Sequence, residues 1–140
     1  RAPFDNHSIA LSPDGRRLAL LIRAEKQLRV LKVMPSNGGK QTELRRFEQS
    51  GRWIIDIAWT PDGRYIFFSK GRPDGKWELW RIPSEGGEPQ NLGLAMNRFQ
   101  HLSVHPDGRR ITFASRPTEA ELPEVWVMEN FLPKEDKAQK

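Results

Sequence analysis

A four-residue phrase occurs three times in this 140-residue chain: Ser12-Pro13-Asp14-Gly15, Thr60-Pro61-Asp62-Gly63 and His105-Pro106-Asp107-Gly108. Pro13 and Pro61 are 48 positions apart, Pro61 and Pro106 45. Each phrase follows a short run of alternating apolar residues and precedes basic residues and a second such run. Proline sets φ near −65° at the first central position of a turn, Asp accepts local backbone hydrogen bonds, and Gly takes a positive φ without a Cβ clash. One such turn suits many folds. Three in phase, each between matching strands, indicate the blades of a propeller. A β-sandwich with recurrent turns is the competing architecture.

The expected fold is therefore all-β, with blades of four antiparallel strands and about three blades in residues 1–133. The first blade runs from about His7 to Phe47: Ile9 and Leu11, then Leu18, Leu20 and Ile22, then Leu28 to Met34, and a weaker strand ending near Phe47. The second repeats this from Trp53 to Leu94, with Ile55, Ile57 and Trp59, Tyr65 to Ser69, Trp77 to Ile82, and Gln90 to Leu94. Gly39 and Gly87 each lie 24 residues after the first-turn glycine, so the internal register is kept. The third, residues 99–132, has Leu102 and Val104, Ile111 to Ser115, and Val125 to Glu129. Its fourth strand is missing, and residues 134–140 form a charged tail.

Composition narrows the classes of function. There are no cysteines, which excludes thiol catalysis, disulfides and Cys-ligated zinc. No apolar run reaches the roughly 18 residues of a membrane-spanning helix, so no membrane insertion is expected. The net charge of +5 favours acidic partners. Lys and Arg are nevertheless spread along the chain among Glu, and no nucleic-acid-binding motif is present, so no nucleic-acid partner is expected. The chain opens at Arg1 without an initiating Met or a secretory leader and reads as an excerpt or a processed product.

The stretches Ile9 to Leu21, Ile57 to Ser69 and Leu102 to Ser115, with Glu78-Leu79-Trp80-Arg81-Ile82 and Glu124-Val125-Trp126-Val127-Met128, resemble the TolB-type, WD-repeat-like β-propeller repeats of bacterial proteins. The resemblance covers nearly the whole chain. It is specific for fold and poor for function, since members occur as periplasmic partner-binding proteins, as sensor modules fused to kinases or DNA-binding domains, and beside peptidase domains. With the absence of Cys, it favours a periplasmic or secreted location.

The chain departs from that family in blade number. Propellers close as rings of roughly four to eight blades. Three blades leave two apolar faces, each rivalling the ~300–600 Å² largest patch of a typical monomer. The expected cover is a second copy, giving a 3+3 homodimer in which residues near the other chain's Arg1 to Asp5 supply the missing strand. Upstream blades of a longer parent are the alternative.

Alignment on the turns places Ser8, Asp56 and His101 at one level, four residues before each phrase, and Ala10, Ala58 and Ser103 two residues before. Both sets lie on one strand face, opposite Ile9/Leu11, Ile57/Trp59 and Leu102/Val104. The first strand of a blade lines the central channel, so Ser8, Asp56, His101 and Ser103 are the candidate ligand- or partner-binding residues at the channel mouth. They hold a partner, water or a cation, or they merely hydrate the channel. His101 and His105 have H-x3-H spacing, but on a strand, with Leu102 where a zincin has Glu, so no metal or cofactor is expected. His105 is expected in the Ser/Thr role of the turn. Arg16, Arg17, Arg64, Arg109 and Arg110 follow the turns and form a basic rim. Trp53, Trp77, Trp80 and Trp126 are expected to pack between blades.

There is no G-x-S-x-G elbow, phosphate-binding glycine loop or HExxH, so no catalytic residues are expected. The expected function is a non-catalytic module for protein or peptide interaction, through the channel mouth and its surrounding loops. The alternatives are a propeller holding a cation or sugar and the propeller part of a larger peptidase.

Overall fold

The computed structural model describes residues 8–25, 28–48, 54–97, 99–115 and 122–132, with residue 55 described by its backbone alone. Trp53, most of the third blade's long loop and the charged tail lie outside the described residues, as do Arg1 to Asp5.

The alternating runs form strands that pair in chain order. The first sheet holds β1 (Ser8–Leu11), β2 (Arg17–Arg23), β3 (Arg29–Pro35) and β4 (Thr42–Phe47). The second holds β5 (Ile54–Trp59), β6 (Tyr65–Gly71), β7 (Trp77–Pro83) and β8 (Gln90–Met96). The third has three strands among the described residues, β9 (Phe99–Val104), β10 (Arg110–Ser115) and β11 (Glu124–Glu129), with β11 outermost. All neighbours are antiparallel. Three turn-linked meanders stand face to face rather than closing one sandwich.

Two apolar seams join them. In the first, Ala19, Leu21, Leu31 and Val33 of sheet one meet Ile57, Trp59, Ile66, Phe68 and Ile82 of sheet two. In the second, Phe67, Trp77 and Leu79 on the other face of sheet two meet Phe99, Ile111 and Phe113 of sheet three, with Phe131 closing one side. Sheet two is covered on both faces, which is why Ile66, Phe67 and Phe68 form an unbroken buried run. In β2 only Ala19 and Leu21 are fully buried, and Leu18, Leu20 and Ile22 on the outer face keep partial exposure.

The tryptophans divide by this architecture. Trp77 is buried, and Trp80 stacks on Phe68 with ring centroids 6.3 Å apart. Trp126 is 46% exposed, contrary to the expectation of packing, because it lies on the edge strand, with no fourth strand beyond it among the described residues.

Candidate functional site

The three turns are built alike. Gly15, Gly63 and Gly108 take φ of 72°, 69° and 70°, and each donates its N–H to the carbonyl of the residue opening the phrase. Ser12 Oγ and Thr60 Oγ1 each donate to the turn aspartate at 2.6 Å, and each accepts a backbone N–H from five residues on, Arg17 or Tyr65. The aspartates in turn accept the N–H of Arg16, Arg64 and Arg109.

These bonds favour the ionised carboxylate. The Ser12 hydroxyl, then the Arg16 N–H, hold the Asp14 carboxyl below its ordinary value. Burial works against ionisation of Asp62, yet the Thr60 hydroxyl and Arg64 N–H bring it down overall. The Arg109 N–H is the largest cause at Asp107, opposed by desolvation and reinforced by Arg110 and His105, and the carboxyl falls to about 2. His105 serves the third turn differently from a hydroxyl. Arg110 Nη2 lies 3.2 Å from His105 Nε2. Nδ1 accepts the Asp107 backbone N–H at 3.1 Å and lies 3.1 Å from Asp107 Oδ1, so the ring sits within the turn rather than donating as a hydroxyl does.

The five rim arginines separate into two roles. Arg16, Arg64 and Arg109 occupy one position in successive blades and are exposed, with their main chain fixed by the turn aspartates. The next residue in each blade is Arg17, Tyr65 or Arg110. Arg17 crosses the first seam: Nη2 donates to the Gly63 carbonyl and Nη1 to Glu85 Oε1, both at 2.9 Å, while the guanidinium lies 4.8 Å from the Trp59 ring centroid. Arg110 folds back on its own turn, 3.1 Å from Asp107 Oδ2.

At the far ends of the inner strands, β5 and β9 each carry a bulge at the level singled out by alignment. Two residues of β5 stand opposite Ser69, and two of β9, His101 and Leu102, opposite Phe113. Asp56 Oδ2 accepts the Leu102 N–H at 2.7 Å, bridging the second seam, and Asp56 Oδ1 accepts the Ile57 N–H. His101 is exposed and held at φ 60°, a left-handed conformation uncommon outside glycine though less so for His. Ser8 is half-buried and Ser103 exposed. The structure thus places Ser8, Asp56 and His101 at corresponding positions of the three sheets, with the Asp56 carboxylate engaged between blades. Among the described residues, no group of three or more His, Asp or Glu is arranged to hold a metal.

One feature of the rim escaped the sequence reading. Between the second and third turns lies a recess of about 410 Å³ lined by Arg64, Tyr65 and Arg81, by Pro61 and Pro106, and by Leu132. The Arg81 guanidinium lies 4.2 Å and that of Arg64 6.0 Å from the Tyr65 ring centroid. Asp62 and Asp107 also line it, each already accepting the bonds described above. Arg81 lies outside the repeated phrase, and only the β6–β7 pairing, in which Phe67 faces Arg81, brings it there.

No protein-family model matches the chain. Among solved structures, the putative TolB from Agrobacterium tumefaciens shares 22% identity at a TM-score of 0.67, over 91% of this chain and 44% of that one. TolB from Acinetobacter baumannii shares 19% identity at a TM-score of 0.69, over 89% and 30%. The β-propeller domain of the Trilobed protease from Pyrococcus furiosus, described as having an open velcro topology, shares 15% at 0.63, over 91% and 40%. At these identities the likeness is one of fold: the three sheets are β-propeller blades of the kind found in TolB. The chain spans less than half the length of each of these structures.

Proposed function

We propose that this chain is a non-catalytic β-propeller module that takes an acidic segment of a protein or peptide on the rim formed by its Pro-Asp-Gly turns. The recess lined by Arg64, Tyr65 and Arg81 carries the reading. Two guanidiniums beside one aromatic ring present several donors in fixed forks, a geometry suited to a carboxylate. Arg16 and Arg109 extend positive charge along the same rim. Their main chains are held by the turns, so little ordering is needed on binding. The candidate residues at the opposite end of the inner strands contribute less in this reading, because the Asp56 carboxylate is engaged between blades.

Calorimetric titration with a glutamate-rich synthetic peptide tests it. Binding should weaken about tenfold in Arg64→Ala and again in Arg81→Ala, and should fall with added salt as expected for rim charges. A peptide that binds the wild type no better than the double variant sinks the proposal.

A second reading, the propeller part of a larger peptidase, draws support from the likeness to the Trilobed protease propeller. A hydrolase domain adjoining this segment in its parent polypeptide would establish it, and flanking sequence without one would remove it.

A further inference from the structure

We propose that the two outer faces of this chain bind a second copy of it, closing a ring of six blades. The argument rests on position-by-position equivalence between the outer faces and the two seams. On the leading face of sheet one, Ile9 and Leu11 are 64% and 57% exposed. Their equivalents in sheet two, Ile57 and Trp59, are 5% and 6% exposed because sheet one covers them. Leu20 and Leu18 face Ile9 and Leu11 across the β1–β2 ladder and extend the same apolar surface. On the trailing face of sheet three, Val125 is 79% exposed and pairs with Ala114. Its equivalents, Leu31 paired with Leu21 and Leu79 paired with Ser69, are wholly buried by the next sheet. Sheet three therefore shows on its trailing face one half of a seam, and sheet one shows the complementary half on its leading face.

Ring closure selects the occupant. A propeller needs roughly four to eight blades. One copy supplies three, two supply six, and three exceed the range. A head-to-tail contact that closes after two copies makes a twofold ring with two identical seams.

The polar part of the seam follows the same equivalence. Arg17 and Arg110 stand five residues after the openings of their turns. Arg17 reaches forward to the Gly63 carbonyl of the next blade. Arg110, at the open flank, instead holds Asp107 and His105. In the ring, Arg110 swings to the partner's Gly15 carbonyl, which corresponds to that of Gly63.

Light scattering on the full chain over a concentration series tests the proposal. A species of twice 16.2 kDa is expected. Leu11→Glu and Val125→Glu should each yield monomers with unchanged far-ultraviolet circular dichroism, because both side chains are already exposed in the single chain. Arg110→Ala should raise the dimer dissociation constant about tenfold. A monomer at every concentration overturns the proposal and leaves further blades of the same polypeptide as the cover. Open-ended oligomers, or a dimer that survives both glutamate substitutions, overturn it equally.

Discussion

The two seams of this molecule are made of the same material and fastened differently. Both are apolar and aromatic. The first is fastened at the turn end, where Arg17 grips the next turn and Trp59 Nε1 donates to the Ala10 carbonyl at 2.9 Å. The second has Tyr65 where the first has Arg17, and it is fastened at the opposite end by the Asp56 carboxylate on the Leu102 N–H. A repeat architecture fixes where neighbouring blades meet, and each seam then places its own polar contact.

Four measurements sharpen or break this contrast. The largest effect is expected from the shared apolar material: Phe67→Ala, which empties a side chain packed edge-on against Phe131 at 5.5 Å, should cost about 3–5 kcal/mol in denaturant unfolding. Next, Asp56→Ala should cost about 1–3 kcal/mol by leaving the Leu102 N–H without its acceptor, with Asp56→Asn recovering part of it. Hydrogen exchange gives the decisive readout: protection should fall at Leu102 and stay unchanged at Ala19 and Leu21. Equal loss in both seams would show that the blades do not loosen separately. Arg17→Ala comes third, about 0.5–1.5 kcal/mol, because its partner Glu85 is exposed while the Gly63 carbonyl and Trp59 contacts are better shielded. Its exchange signature should be confined to the first seam.

The smallest effect concerns acid. The turn aspartates titrate below the ordinary 3.8 in the folded chain, Asp107 at about 2. A lowered folded value means the stabilisation is present above pH ~4 and is lost as pH falls toward 2. The unfolding midpoint should decline over that window, and Asp107→Asn should flatten the decline.

Much of this fold was legible because its cause is local. The Pro-Asp-Gly phrase fixes a turn by itself, and alternation of Leu18, Leu20 and Ile22 fixes a strand. Counting back from the turn also singled out Asp56 and His101, both of which lie at bulges of their strands. What Asp56 binds did not follow from counting, because its partner is a backbone N–H in another blade, 46 residues away. The rim was half legible. Grouping Arg16 with Arg17 overlooked the strand parity that turns the second toward the neighbouring blade and leaves the first in solvent. The recess beside Tyr65 needed Arg81, whose approach depends on the β6–β7 register. The exposure of Trp126 follows from the edge position of its strand, which the missing fourth strand already implied.

That edge has a consequence for purity in solution. Among the described residues no strand pairs with the outer side of β11, a strand whose middle, Val125-Trp126-Val127, is apolar, the composition that invites sheet-to-sheet growth. Glutamates bracket it at Glu124 and Glu129. Two copies laid parallel and in register would oppose each glutamate to itself, and two laid antiparallel would oppose Glu124 to Glu129. Either way like charges meet across the gap. Fibrillar self-addition along this border is thereby discouraged, while a strand carrying lysine or arginine at those positions would find it welcoming.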